Sequence, residues 1–130
     1  MKLVCIGWGR KVSGRLEVRL ASKGNAPLLL LEDGFLRSVL REDAPLSLVL
    51  DDTGIYYDAT SPSSLERLVR QPLSLQEEHR ARELMHAWRR GRISKYNAAR
   101  EFQGELPSRY VLVADQTFGD LSVRYGMADE

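Results

Sequence analysis

Pro27-Leu28-Leu29-Leu30-Leu31-Glu32-Asp33-Gly34-Phe35-Leu36-Arg37-Ser38 decides how this chain is read. Four consecutive leucines describe a buried strand. Two adjacent carboxylates at its C-terminal end are costly to bury without a partner or a task. Gly34 permits a tight turn after them, and Arg37 is placed to neutralise one acid. Ligands of open α/β sheets bind outside the carboxyl ends of the strands, so Glu32-Asp33-Gly34 is a site candidate. The plainer reading is a polar strand end closed by a glycine turn.

Before this stretch, Leu3–Ile6 predicts a first strand, ended by Gly7-Trp8-Gly9-Arg10. Ser13 is placed to cap a helix over about Gly14–Lys23, with Leu16 and Leu20 on one face and Gly24-Asn25 as its stop. With Pro27–Leu31 as the second strand, the order strand, glycine turn, helix, strand begins a parallel α/β sheet. After it, Leu46–Leu50 and Ile55–Asp58 flank Asp51-Asp52-Thr53-Gly54 and predict a β-hairpin with an acidic turn. Ser61-Pro62 opens a short helix in which Ser63 and Glu66 form a capping box, with Leu65, Leu68 and Val69 on its buried side. Ser74 and Glu77 repeat that device for a longer helix to about Arg90. Its Ala81, Leu84, Met85 and Trp88 form a core-facing stripe that should pack on the sheet. Glu105-Leu106-Pro107 breaks the chain before Tyr110–Ala114, read as a last strand of the same sheet. The predicted class is α/β, a Rossmann-like layered domain with a parallel sheet and a β-hairpin. No helix is encoded to cover the last strand, so the sequence reads as the first part of a larger unit.

Length and composition set bounds. One domain with its own core fits 130 residues. Nineteen basic against 18 acidic side chains give no reason to propose a nucleic-acid partner. The single cysteine, Cys5, lies in an apolar run, can form no internal disulfide and reads as a core thiol. The N-terminus lacks the longer apolar stretch of a signal peptide, and no run is long enough to span a membrane, so composition points to the cytoplasm.

Carboxylates gather at predicted strand ends and turns: Glu32, Asp33, Asp51, Asp52, Asp58, Asp115 and Asp120. If the strands before Glu32 and Asp120 are neighbours, the two acids face one cleft, as a nucleophile and acid/base pair in glycosyl chemistry or as ligands to a divalent metal. Asp51-Asp52 before Thr53-Gly54 fits turn chemistry better. His79 and His86 lack the i, i+4 spacing of a helical metal pair. Arg80, Arg82, Arg89, Arg90 and Arg92 read as a solvated face because Glu77, Glu78 and Glu83 are interleaved with them, an anionic ligand or lipid headgroup being the lesser reading. Gly7 and Gly9 lack the third glycine of a dinucleotide fingerprint at its required place. Ser94-Lys95-Tyr96-Asn97 carries no generic mechanism and reads as a helix end.

Six segments together resemble one family: Trp8-Gly9-Arg10-Lys11, Leu31–Ser38, Pro45-Leu46-Ser47-Leu48-Val49, Asp51–Ala59, Ser94-Lys95-Tyr96-Asn97 and Asp115–Ser122. The family is the bacterial capsule polysaccharide synthesis proteins, the retaining β-Kdo transferases, Kdo being 3-deoxy-manno-octulosonic acid. The resemblance implies one Rossmann-like lobe of a two-lobed glycosyltransferase, with residues 1–130 the first lobe and the second absent. Such an enzyme moves Kdo from CMP-Kdo, with retention, to a glycolipid acceptor, in the cytoplasm and peripheral to the inner membrane, with no cofactor and no metal. Asp120 matches the nucleophile, and Glu32 or Asp33 the acid/base or orienting group. Arg37, Lys95, Asn97, Gln116 and Ser122 fall in the segments that would bind substrate, with Arg37, Lys95 and Arg124 available to the Kdo carboxylate. The sequence departs from the family at Val39-Leu40-Arg41-Glu42, where glycines are usual. Two other readings stand beside this one: a non-catalytic scaffold or regulatory domain in capsule assembly or export, and a metal-dependent phosphotransfer domain using the strand-end aspartates.

Overall fold

The computed structural model describes residues 4–99 and 101–127; Leu3, in the expected first strand, lies outside them. Strand β1, Cys5–Trp8, leads through a turn into helix α1, Val12–Gly24, which returns the chain to strand β2, Leu28–Asp33. The strands are parallel, with Cys5 opposite Leu28 and Trp8 opposite Leu31. Strand β1 begins and ends two residues later than its apolar run predicts, and β2 begins one and ends two later, so Trp8, Glu32 and Asp33 belong to the sheet itself.

Glycines let the crossover pack close. The Cα of Gly14 stands 2.6 Å from where a Cβ on Gly7 would sit, and the Gly9 carbonyl occupies the place of one on Gly14. Close helix–strand contact is the role of the third glycine in phosphate-binding turns, met here at a longer spacing. Helix α1 starts earlier than expected, with Lys11 at its N-cap and no side-chain cap. Ser13 instead accepts the Trp8 N–H at 3.3 Å, tying the helix to the strand. The stop is as predicted, with Asn25 in the left-handed region and its N–H bonded to the Ala21 carbonyl.

Strand β3, Leu48–Asp51, pairs antiparallel with β2, Asp33 facing Leu48 and Leu30 facing Asp51, in the order β1-β2-β3. The chain is α/β, as expected. The hairpin is not formed: Ile55–Asp58 contains no strand. Asp51 is the physical reason. One of its carboxylate oxygens accepts the amides of Thr53 (2.8 Å) and Gly54 (2.9 Å), and the other accepts Ser64 N–H (2.8 Å). The chain is thereby turned out of the sheet toward helix α2, Ser64–Val69. Ile55, fully buried, joins Leu30 and Ala21 in the core.

Both capping boxes form, Ser63 with Glu66 and Ser74 with Glu77, the latter opening helix α3, Leu75–Gly91. Their apolar faces do not pack as predicted. Leu68 and Val69 are exposed, and on α3 so are Leu84, Met85 and Trp88, the last 38 % accessible. Close packing between elements joins β1, β2, β3 and α1, so Trp88 is not on the sheet. Tyr110–Ala114 forms no strand either, and Val111, Leu112 and Val113 are more than 80 % exposed. A strand needs an edge to bond to, and no described strand pairs with this stretch. The last described element is the short helix α4, Leu121–Tyr125, capped by Asp120. Among the described residues no helix is long and apolar enough to cross a membrane.

Candidate functional site

An open cleft of about 420 Å³ lies at the carboxyl end of β2. Six separate pieces of chain build it. The strand end supplies Glu32 and Asp33, the N-cap of α1 supplies Lys11, the turn after β3 supplies Tyr56 and Tyr57, the loop before α4 supplies Gln116 and Asp120, and α4 itself Leu121 and Ser122. Arg41 and Lys95 complete the lining. Three carboxylates and three cations thus share one concavity, a set suited to a polar ligand.

Glu32 is held at one oxygen. Its Oε1 accepts the Trp8 indole N–H at 3.1 Å and the Asp33 amide at 3.1 Å. Asp33 pairs with Arg37, Nε to Oδ2 at 3.1 Å. The same Arg37 donates to Ser38 Oγ and to the carbonyls of Arg41 and Asp43. Arg37 therefore builds the wall of the cleft and does not line it.

Lys95 is brought in by a strap. After α3 the chain bonds back to the loop between β2 and β3, with Arg37 and Ser38 amides donating to the Lys95 carbonyl and Ser38 bridging Tyr96. Asn97 is its buckle. Its Oδ1 accepts Ser94 N–H, its Nδ2 donates to the Ser94 and Ser38 carbonyls, and its amide donates to the Val39 carbonyl. Asn97, like Arg37, lies outside the cleft lining.

Asp120 sits at the mouth, exposed, its Oδ1 accepting the Ser122 amide at 2.8 Å. The amide and hydroxyl of Ser122, with the charge of Lys95 adding, hold its carboxyl below the usual carboxylate range. The group is ionised at neutral pH, the state a nucleophilic carboxylate requires. Tyr57 is in the opposite condition. Burial pushes its phenol up to about 12, and its oxygen accepts the Arg10 amide at 2.8 Å, so it stays protonated. Arg10 itself is spent on the wall, paired through its guanidinium with buried Asp58 and bonded to Ser61 Oγ.

Of the residues singled out from sequence, Glu32, Asp33, Lys95, Gln116, Asp120 and Ser122 come together, while Asp51, Asp58 and Asp115 do not line the cleft. Among the described residues, no three His, Cys, Asp or Glu side chains are grouped so as to hold a metal ion, so the strand-end aspartates form no such cluster. Sequence reasoning missed Lys11, Arg41, Tyr56 and Tyr57. The two tyrosines were hidden by reading Ile55–Asp58 as a strand, where neighbours point to opposite faces; in the observed turn both reach the cleft.

A βαβ unit with a charged cleft at the carboxyl end of its strands places the chain in the class of α/β domains, whose ligands bind at that edge. The particular family follows from sequence and fold together. Residues 3–105 match the capsule polysaccharide biosynthesis protein family, and the chain belongs to it. It is 39 % identical over 135 residues to the capsule polysaccharide modification protein LipA of Neisseria meningitidis serogroup A, covering 95 % of this chain and 19 % of LipA. Two solved structures from Thermosulfurimonas dismutans share the fold. KpsC, beta Kdo 2,4 transferase, superposes with a TM-score of 0.78 at 41 % identity, over 95 % of this chain and 41 % of that one. KpsC, beta Kdo 2,7 transferase, gives 0.64 at 26 % identity, over 95 % and 37 %. The chain thus spans about a fifth of LipA and about two fifths of either transferase.

Proposed function

We propose that this chain is the first lobe of a retaining β-Kdo transferase of capsule biosynthesis, which takes Kdo from CMP-Kdo and gives it to a lipid-linked acceptor. The observation that carries the reading is the meeting of Asp120, Glu32 and Lys95 around one cleft, in a fold similar to two proteins described as Kdo transferases. In the first step the Asp120 carboxylate attacks the anomeric carbon of Kdo, forming an ester-like glycosyl bond as the bond to CMP breaks and CMP leaves with that electron pair. In the second, the acceptor hydroxyl attacks the same carbon from the other face, Glu32 takes its proton, and Asp120 leaves. Two inversions give net retention. Lys95, Lys11 and Arg41 are the cations available to the Kdo carboxylate, which must approach Asp120 and Glu32.

In this reading a second lobe binds the nucleotide and covers the apolar surface this chain leaves open. Tyr110–Ala114 then pairs with a strand that lobe supplies, which accounts for its β-forming sequence and its lack of a partner here. The cytoplasmic face of the inner membrane is the place where such a donor and such an acceptor meet. The test is product stereochemistry: the two-lobed enzyme, given CMP-Kdo and a lipid-linked acceptor, should yield Kdo with the anomeric configuration of the donor. An inverted product would rule out the covalent scheme.

A further inference from the structure

We infer that Trp8 is a positioning residue for Glu32, fixing which carboxylate oxygen meets the substrate; the inference rests on the catalytic reading of Glu32 given above. Trp8 is the last residue of β1 and stands beside the end of β2, opposite Leu31. Its backbone is fixed at both ends, its N–H on Ser13 Oγ and its carbonyl accepting the Lys11 amide. The ring is held as well, with the Lys11 ammonium 5.5 Å from its centroid. A ring so restrained presents its indole N–H in one direction, and Glu32 Oε1 takes it at 3.1 Å together with the Asp33 amide.

The other oxygen, Oε2, has no hydrogen-bond partner among the described residues. It lies against Gly9, where a Cβ would stand 2.8 Å from Oε2 and would also collide with the Tyr57 hydroxyl. Gly9 has φ of +40°, a backbone that excludes most side chains in any case. Oε1 is therefore doubly engaged, and the missing side chain at Gly9 leaves room for Oε2. A carboxylate free to rotate would exchange the two oxygens, whereas this one keeps Oε2 for an incoming hydroxyl. Losing a hydrogen bond to a charged group typically weakens an interaction by about 10- to 100-fold. Because the bond orients a group needed in the transition state, the loss should appear in kcat and leave KM for CMP-Kdo within about twofold.

Two measurements test this. In the 130-residue chain carrying Trp88→Phe, a single indole N–H signal remains in the NMR spectrum. Glu32→Ala should move it and speed its exchange with solvent about tenfold or more, since a tenfold change is the scale of one net hydrogen bond. An unmoved signal overturns the inference. In the two-lobed enzyme, Trp8 replaced by its benzothienyl isostere, which keeps the shape and lacks the N–H, should lose about 10- to 100-fold in kcat. Trp8→Phe should show the same loss. Full kcat in the isostere beside an inactive Glu32→Gln overturns the inference and leaves the transferase reading standing. A fully active Glu32→Gln overturns both.

Discussion

Asp51 is buried at the end of β3 and yet ionised. Burial pushes its carboxyl up, but amides of Gly54, Thr53 and Ser64 outweigh it and hold the group below the ordinary range. Asp58 balances in the same way, with Thr60 and Arg10 outweighing its burial. A carboxyl lowered in the folded state stabilises the fold above its unfolded pKa, near 3.9, and that contribution is lost as pH falls through the folded value. The melting temperature should therefore hold from pH 7 to about 4 and fall steeply below it. Asp51→Asn, followed by calorimetry across the same range, should start lower and fall less steeply. Gly9→Ala should cost about 1–2 kcal/mol from backbone strain alone, with more from displacing Tyr57. A melting temperature within a degree of wild type would show that the Gly9 turn relaxes freely. Turn chemistry at Asp51-Asp52-Thr53-Gly54 was legible because the acid bonds amides of its own turn, whereas its bond to Ser64 and the absence of a hairpin were not. Lys11, Arg41, Tyr56 and Tyr57 were not, because a cleft lining depends on where distant segments meet.

The elements divide along the same line. The βαβ unit and both capping boxes could be read from sequence, since each depends on apolar runs, glycines and side-chain oxygens close along the chain. The α3 stripe and Tyr110–Ala114 were misplaced because an apolar pattern records the need for a partner and says nothing of where it is. The Ser94–Asn97 strap, read as a helix end, turned out to carry Lys95 into the cleft. Asn97 is the element's fastening, so Asn97→Ala should loosen the strap without unfolding the sheet. Amide hydrogen exchange reports this directly. Arg37 and Ser38, whose N–H groups donate to the Lys95 carbonyl, should exchange about tenfold faster, while Leu29–Leu31 remain unchanged. Equal acceleration at both places would mean that Asn97 supports the whole domain.

The molecule as a whole carries more apolar surface than its packing uses. Ile6, Leu48 and Leu50 share the sheet face away from α1 and are all exposed, as are the α3 stripe and residues 110–113. Patches of this extent mark interaction surfaces, and the chain spans 19 % of LipA and 41 % of the beta Kdo 2,4 transferase. If the two-lobed reading proposed above holds, the 130-residue chain alone should transfer no Kdo from CMP-Kdo, and joining the second lobe should bring the Tyr110–Ala114 amides into hydrogen-exchange protection. Amides there that stay unprotected in the two-lobed enzyme would contradict the pairing of this stretch with a strand of the second lobe. Everything proposed about chemistry turns on Asp120 as nucleophile, and intact-protein mass spectrometry addresses it without an acceptor in the tube. Incubated with CMP-Kdo alone, the two-lobed enzyme should gain the mass of one Kdo residue, Kdo less one water, and Asp120→Asn, which keeps the cap of α4, should gain none. An adduct that persists on Asp120→Asn, or turnover retained by that variant, would place the nucleophile elsewhere, with Asp115 the next residue to examine.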